Sequence, residues 1–188
     1  LLATADRPIM IIGDRLGGAN QEALRLAETA GIPVYGHGSF EVNFPATHPL
    51  WQGNLSVRNP EAVKAIRSSD LIIAAGCTVF DDFFYQSEDI IPKSAKLVHI
   101  DSDPSSIGKS EPTDIGILAA PSKVISQLAE AVSYEFTGTK AEAATLRLKG
   151  AETVSTARRE AFAKLAGEQQ KLSPMSPTTF AATLANAL

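Results

Sequence analysis

The sequence predicts an α/β fold: a doubly wound, mostly parallel sheet with helices on both faces, of the Rossmann-like kind. Three observations carry this. Short, unbroken apolar runs recur through the first 135 residues, as strands buried on both faces require. Stretches with apolar residues at helical spacing lie between several of them. Strand and helix signals alternate, a pattern that builds a parallel sheet covered on both sides.

Pro8 to Ile12, closed by Gly13, is the first strand. A helix is expected from about Asn20 to Ala30, with Ala23, Leu24, Ala27 and Ala30 on one face. Gly31 is placed as its C-cap and Pro33 as its stop. Pro33-Val34-Tyr35 is a second strand, followed by a long irregular stretch from Gly36 to Val57 broken by Gly38, Pro45, Pro49 and Gly53. Loops of that length in compact domains usually serve function or an interface. Asn59-Pro60-Glu61 opens the next helix with a capping side chain, a proline at the first turn and an acid near the positive helix end. Leu71 to Ala75 forms the next strand, flanked by Asp70 and Gly76; Lys96 to Asp101 and Ile115 to Leu118 are two more. A helix from about Pro121 to Val132 turns Val124, Ile125, Leu128 and Val132 to the core.

Beyond Thr137 the character changes. Residues 138–172 are rich in Ala, Glu, Lys and Arg, with scattered Leu146, Leu148, Val154, Phe162 and Leu165, and read as a polar helical linker. With so little apolar surface to bury, this segment is expected to run over the surface and to be the first cut by proteases. Ser173 to Pro177 is a breaker cluster, and a further helix begins at about Thr178. Starting on Leu1 and stopping inside that helix, the chain is expected to be a segment of a longer one, with residues 1–137 as its domain.

Composition excludes several partners. A net charge of −4 and a pI near 5.4 give no footprint for nucleic acid or an anionic membrane. The longest apolar runs are far too short to span a bilayer. The single cysteine, Cys77, cannot form an internal disulfide and suits a reducing cytoplasm; directly after a strand, it reads as a small core residue.

Ligands of open parallel sheets bind beyond the carboxyl ends of the strands. Three such ends carry glycine or polar turns. In Gly13-Asp14-Arg15-Leu16-Gly17-Gly18, glycines could admit a phosphate to backbone N–H groups, or the segment is a plain βα turn; the spacing matches neither dinucleotide nor Walker loops. After Gly76-Cys77-Thr78, Asp81 and Asp82 could bind metal or transfer protons, or cap a loop packed with Phe80, Phe83, Phe84 and Tyr85. No histidine lies near enough to complete a metal-ligand spacing. Asp101 and Asp103 are placed where an acid would hold a ribose, and are equally turn residues before Pro104. The cofactor-binding candidates, should a nucleotide bind, are therefore Gly13, Asp14, Arg15, Gly76, Asp101 and Asp103. No catalytic or metal-ligating residue emerges. His37, His48 and His99 are read as structural.

Taken in order, these segments resemble a known family. Phe44-Pro45 with His48-Pro49 and Gly53 is similar to the "F-P…H-P…G" loop of the central domain of thiamine-diphosphate-dependent enzymes such as acetolactate synthase, benzoylformate decarboxylase, benzaldehyde lyase and oxalyl-CoA decarboxylase. Ser69 to Gly76 resembles the family's "A-D-L-V…G" strand. Ile100 to Pro104 with Ile107-Gly108-Lys109 resembles its "I-D-I-D-P…I-G-K" run, and Asp114 to Ile117 its "D-V-G-I" strand. The likeness covers about residues 3–135; each motif is weak alone and the ordered series is specific.

The resemblance implies a middle domain between a pyrimidine-binding and a pyrophosphate-binding domain, with residues 173–188 similar to the opening helix of the latter. It implies a parent enzyme that is a 2-keto-acid decarboxylase or carboligase and a cytoplasmic homo-oligomer, holding thiamine diphosphate and Mg²⁺ outside this segment. The family's catalytic glutamate and its "G-D-G" metal motif belong to the other two domains. Some central domains of the family bind FAD or ADP, so a nucleotide-binding module for FAD, ADP or NAD is the alternative. FAD-binding relatives carry "R-F-D-D-R" where this chain has Val79-Phe80-Asp81-Asp82-Phe83, so FAD is not expected. Phe40, Phe44 and Trp51 are expected as aromatic anchors of an interface.

Overall fold

In the computed structural model, residues 1–38, 43–56, 58–80 and 89–187 are described. Phe40, Val57, Asp81, Asp82, Phe83, Phe84, Tyr85 and Leu188 lie outside them. Six parallel strands form one sheet in the order β3-β2-β1-β4-β5-β6: β1 (Pro8–Ile12), β2 (Val34–Gly36), β3 (Trp51–Asn54), β4 (Leu71–Ala75), β5 (Lys96–Asp101) and β6 (Ile115–Leu118). The helices are α1 (Asn20–Ala30), α2 (Pro60–Ser68), α3 (Pro121–Glu135), α4 (Thr139–Glu168) and α5 (Pro177–Ala187).

The unbroken apolar runs of β1 and β4 are explained by burial on both faces. Met10 and Ile12, with Leu71, Ile73 and Ala75, face a core built with Leu26 and Ala27 of α1 and Ile125 and Ala129 of α3. Ile9 and Ile11, with Ile72 and Ala74, face a second core with Ala62 and Ile66 of α2, Val79 and Ile90. Asn59 caps α2, its Oδ1 accepting from the N–H of Glu61 at 3.1 Å.

Two elements differ from expectation. The stretch 36–57 contains an edge strand, β3, half-exposed and joined to β2 through a register shift between Val34 and Gly36. Phe44, expected as an interface anchor, is a core residue only 2% exposed, stacked on half-buried Trp51 at 6.0 Å between ring centroids. Its ring is spent on this domain's own interior.

The polar segment after Thr137 is one helix of 30 residues, α4. Ala144 is buried in the core beside α1, with Leu148 and Ala151 packed against it, so the first turns of the helix contribute to the core despite their sparse apolar content. At the far end Thr179 of α5 donates to the Ala166 carbonyl at 3.2 Å.

Candidate functional site

The order of the strands reverses between β1 and β4, and the turns after β1, β4 and β5 meet at that point. Arg15 leaves β1, Thr78 leaves β4, and Asp101 ends β5. The Arg15 guanidinium grips Asp101 with two parallel bonds: Nε–H to Oδ1 at 2.9 Å and Nη2–H to Oδ2 at 2.8 Å. Nη2 also donates to Ser106 Oγ at 2.9 Å and Thr78 Oγ1 at 3.3 Å, and the two hydroxyls lie 3.2 Å apart. Asp101 is fully buried, while the Arg15 side chain is 40% exposed. The bond to Asp101 raises Arg15 above its ordinary pKa.

Asp103 joins through its backbone, whose N–H donates to Asp101 Oδ1 at 2.9 Å, and through its carboxylate, which accepts from Ser106 Oγ at 3.0 Å. Bonds from the Ser105 hydroxyl and backbone, then Ser106, hold this exposed carboxyl below the usual carboxylate range.

Gly13 and Gly76 sit where two turns interlock. A Cβ on Gly13 would lie 2.6 Å from the Gly76 carbonyl oxygen; one on Gly76, at φ 66°, would lie 2.5 Å from Arg15 carbonyl carbon and Leu16 N. Their N–H groups are already engaged: Gly13 donates to Ala75 O at 3.1 Å, Arg15 to Gly76 O at 3.0 Å, and Gly76 to Ile100 O at 2.9 Å. Asp14 lies partly exposed in the same turn.

All six candidates from the sequence thus fall at the carboxyl ends of β1, β4 and β5. Arg15, Asp101 and Asp103 share one hydrogen-bonded network, and Gly13 and Gly76 allow the close backbone approach beneath it. Thr78 and Ser106 were not singled out from the sequence. Their only signal is a hydroxyl in the turn after each of two strands, which is common in βα turns.

The remaining candidates are structural in their contacts. Cys77 is 3% exposed, and burial first of all pushes its thiol up to about 12. His99 is buried with Nε2 at 2.8 Å from the Cys77 carbonyl oxygen. His48 lies 3.2 Å from Glu28 and edge-on to Phe44, and His37 packs edge-on to Phe80. At the opposite end of the strands, where β5 and β6 begin, a hollow of about 330 Å³ is lined by Ile91, Lys93, Leu97, Glu111 and Asp114, among others. Burial raises the Glu111 carboxyl, with Asp89 adding to it.

Chemically, the network binds strand ends to one another. Arg15 is committed to Asp101, the two hydroxyls are bonded to Arg15 and to each other, and backbone donors beneath are engaged. Among the described residues, no group of three or more His, Cys, Asp or Glu side chains could hold a metal ion. No helix among them is long and apolar enough to cross a membrane.

Residues 1–128 match the family model described as "Thiamine pyrophosphate enzyme, central domain". The chain is 35% identical over 135 residues to a probable acetolactate synthase large subunit of Methanocaldococcus jannaschii, covering 70% of this chain and 23% of that protein. It is 34% identical over 133 residues to a sulfoacetaldehyde acetyltransferase of Alcaligenes xylosoxydans, covering 68% and 22%. Among solved structures, a thiamine diphosphate-dependent 4-hydroxybenzoylformate decarboxylase of Rhodococcus jostii superposes with a TM-score of 0.62 at 26% identity, over 70% of this chain and 25% of that one. The chain therefore spans about a quarter of the length of these relatives.

Proposed function

From the premise that the chain belongs to the thiamine pyrophosphate enzyme central-domain family, we propose that it bridges the pyrimidine- and pyrophosphate-binding domains of a 2-keto-acid decarboxylase or carboligase. The observation that carries this reading is the family match over residues 1–128. The six-stranded sheet with the order 3-2-1-4-5-6 is consistent with it.

In this reading residues 1–137 are the domain, 138–172 lead away from it after their first turns have packed on its core, and 173–188 begin the next. The parent is a cytoplasmic homo-oligomer that works with neither nucleic acid nor membrane. Among the described residues there is no cluster of three or more His, Cys, Asp or Glu side chains to hold Mg²⁺. Thiamine diphosphate and Mg²⁺ belong to the flanking domains, and the segment alone has no catalytic residue. The nucleotide alternative is disfavoured by Arg15, which is held by Asp101, and by the engaged N–H groups of Gly13, Arg15 and Gly76. FAD is not expected.

Calorimetric titration of the purified chain tests the reading. Thiamine diphosphate with Mg²⁺, ADP and FAD should each give no stoichiometric heat, and the protein should purify colourless. A micromolar complex with thiamine diphosphate would overturn the assignment of that cofactor to the flanking domains. A bound-flavin spectrum or tight ADP binding would instead restore the nucleotide-binding alternative.

A further inference from the structure

The sequence gives α4 the look of a solvated helix, yet it is fastened to the domain at two separate places. At its base, Gly31 ends α1 at φ 61°, and a Cβ there would collide with the Ala144 carbonyl oxygen. Only glycine permits both this backbone turn and this approach. Over the same joint Arg147 donates from Nη2 to Ala30 O at 2.7 Å and from Nε to Gly31 O at 3.2 Å. These are carbonyls at the negative end of α1, where a cation is best placed. Three turns further on, Arg159 donates to Thr47 O at 2.6 Å and Arg158 to Gln52 Oε1 at 3.2 Å. Thr47 lies in the 45–50 turn that precedes β3, and Gln52 lies in β3 itself.

Two fastenings on a continuous helix remove freedoms that one leaves. The base joint fixes a point, and the second contact fixes the direction. With 30 residues, α4 extends about 45 Å at 1.5 Å per residue. A small change of angle at the base is therefore a large displacement at Ala166, where Thr179 holds α5.

We propose that α4 is a clamped rigid arm: the Gly31–Ala144–Arg147 joint and the Arg158–Arg159 contacts together set where the chain after residue 168 stands relative to the sheet. The arm gives the domain a positioning role that its strand ends do not supply. It stands on these contacts alone and is independent of which reaction a parent enzyme performs.

The test is the distance between nitroxide labels at Glu130→Cys on α3 and Glu168→Cys on α4, read by pulsed electron spin resonance in the whole chain. Cys77, buried, stays unlabelled. A single narrow distance peak is expected. Arg147→Ala combined with Arg159→Ala should lose that peak to a broad distribution while near-ultraviolet dichroism is unchanged. Arg159→Ala alone, which touches no buried group of the sheet, should broaden it as well and speed cleavage by trypsin between residues 139 and 171. A broad peak in the parent chain overturns the proposal, and so does a peak that stays narrow in Arg159→Ala.

Discussion

Arg15 and Asp101, 86 positions apart, close on each other at 2.8 and 2.9 Å across the point where the strand order reverses. The pair ties the turn after β1 to the end of β5, passing over β4 between them.

Arg15→Ala should destabilise the chain by about 2 kcal/mol, between the cost of breaking a buried ion pair and that of losing a surface one. Among the described residues, the fully buried Asp101 carboxylate then keeps the Asp103 N–H of its own turn as its hydrogen-bond donor. Arg15→Lys should recover about half of this loss, since an ammonium cannot span both oxygens. Urea unfolding midpoints measure both; a loss within error for Arg15→Ala would show that the pair does not hold the strand ends.

Gly76→Ala should cost about 2 kcal/mol or more, because the added carbon meets backbone rather than a movable side chain. Gly18→Ala, at φ 80° with nothing within 4 Å, should cost only about 1 kcal/mol for its backbone conformation. Equal losses for the two would mean the turns can separate at no cost.

Much of this architecture is legible locally. β1 and β4 announce themselves because burial on two faces leaves no place for a polar residue, and Asn59-Pro60 starts a helix by means visible within three residues. Trp51-Gln52-Gly53-Asn54 does not: a half-exposed edge strand needs neither an unbroken apolar run nor alternation. The six candidates can be placed at strand ends from the sequence alone, because that is where turns gather. That Arg15 would be taken up by Asp101 was not visible, since nothing local records a contact across 86 positions. Arg147 was hidden for a related reason: on a helix rich in charge, a residue that caps another helix looks like its solvated neighbours.

Cys77 should react with a disulfide reagent at pH 8 only as fast as the chain opens. Its thiol, pushed up to about 12, stays protonated in the folded protein and ionises in the unfolded one above about pH 8.5. Because the folded value is the raised one, its contribution is intact below the unfolded value and is lost as pH rises towards the folded one. Stability should therefore fall above about pH 8.5, and Cys77→Ala should flatten that fall. Rapid native-state modification would contradict the burial.

Asp114 accepts from Lys96 Nζ at 2.7 Å and from the Leu97 N–H at 2.9 Å, and these bonds, in that order, hold its carboxyl below the usual range. A lowered folded value means the contribution is present above the unfolded value, about pH 4, and disappears as the carboxyl protonates. Asp114→Asn should cost about 1 kcal/mol at pH 7, and the difference from the parent should shrink as pH drops below about 4. A difference that does not change with pH would rule out the ionised carboxylate as its source.

The pairing of β1 with β4 sets Pro8 opposite Leu71 and Ile12 opposite Ala75. During synthesis, then, β1 can take β2 as a neighbour early, through Met10 and Val34, but must wait for some sixty further residues before its other edge is closed. Until Ala75 is available, the centre of the finished sheet is a growing edge with half its ladder unmade. The hydrophobic run that makes β1 easy to read is, for that interval, the most association-prone stretch on a nascent chain.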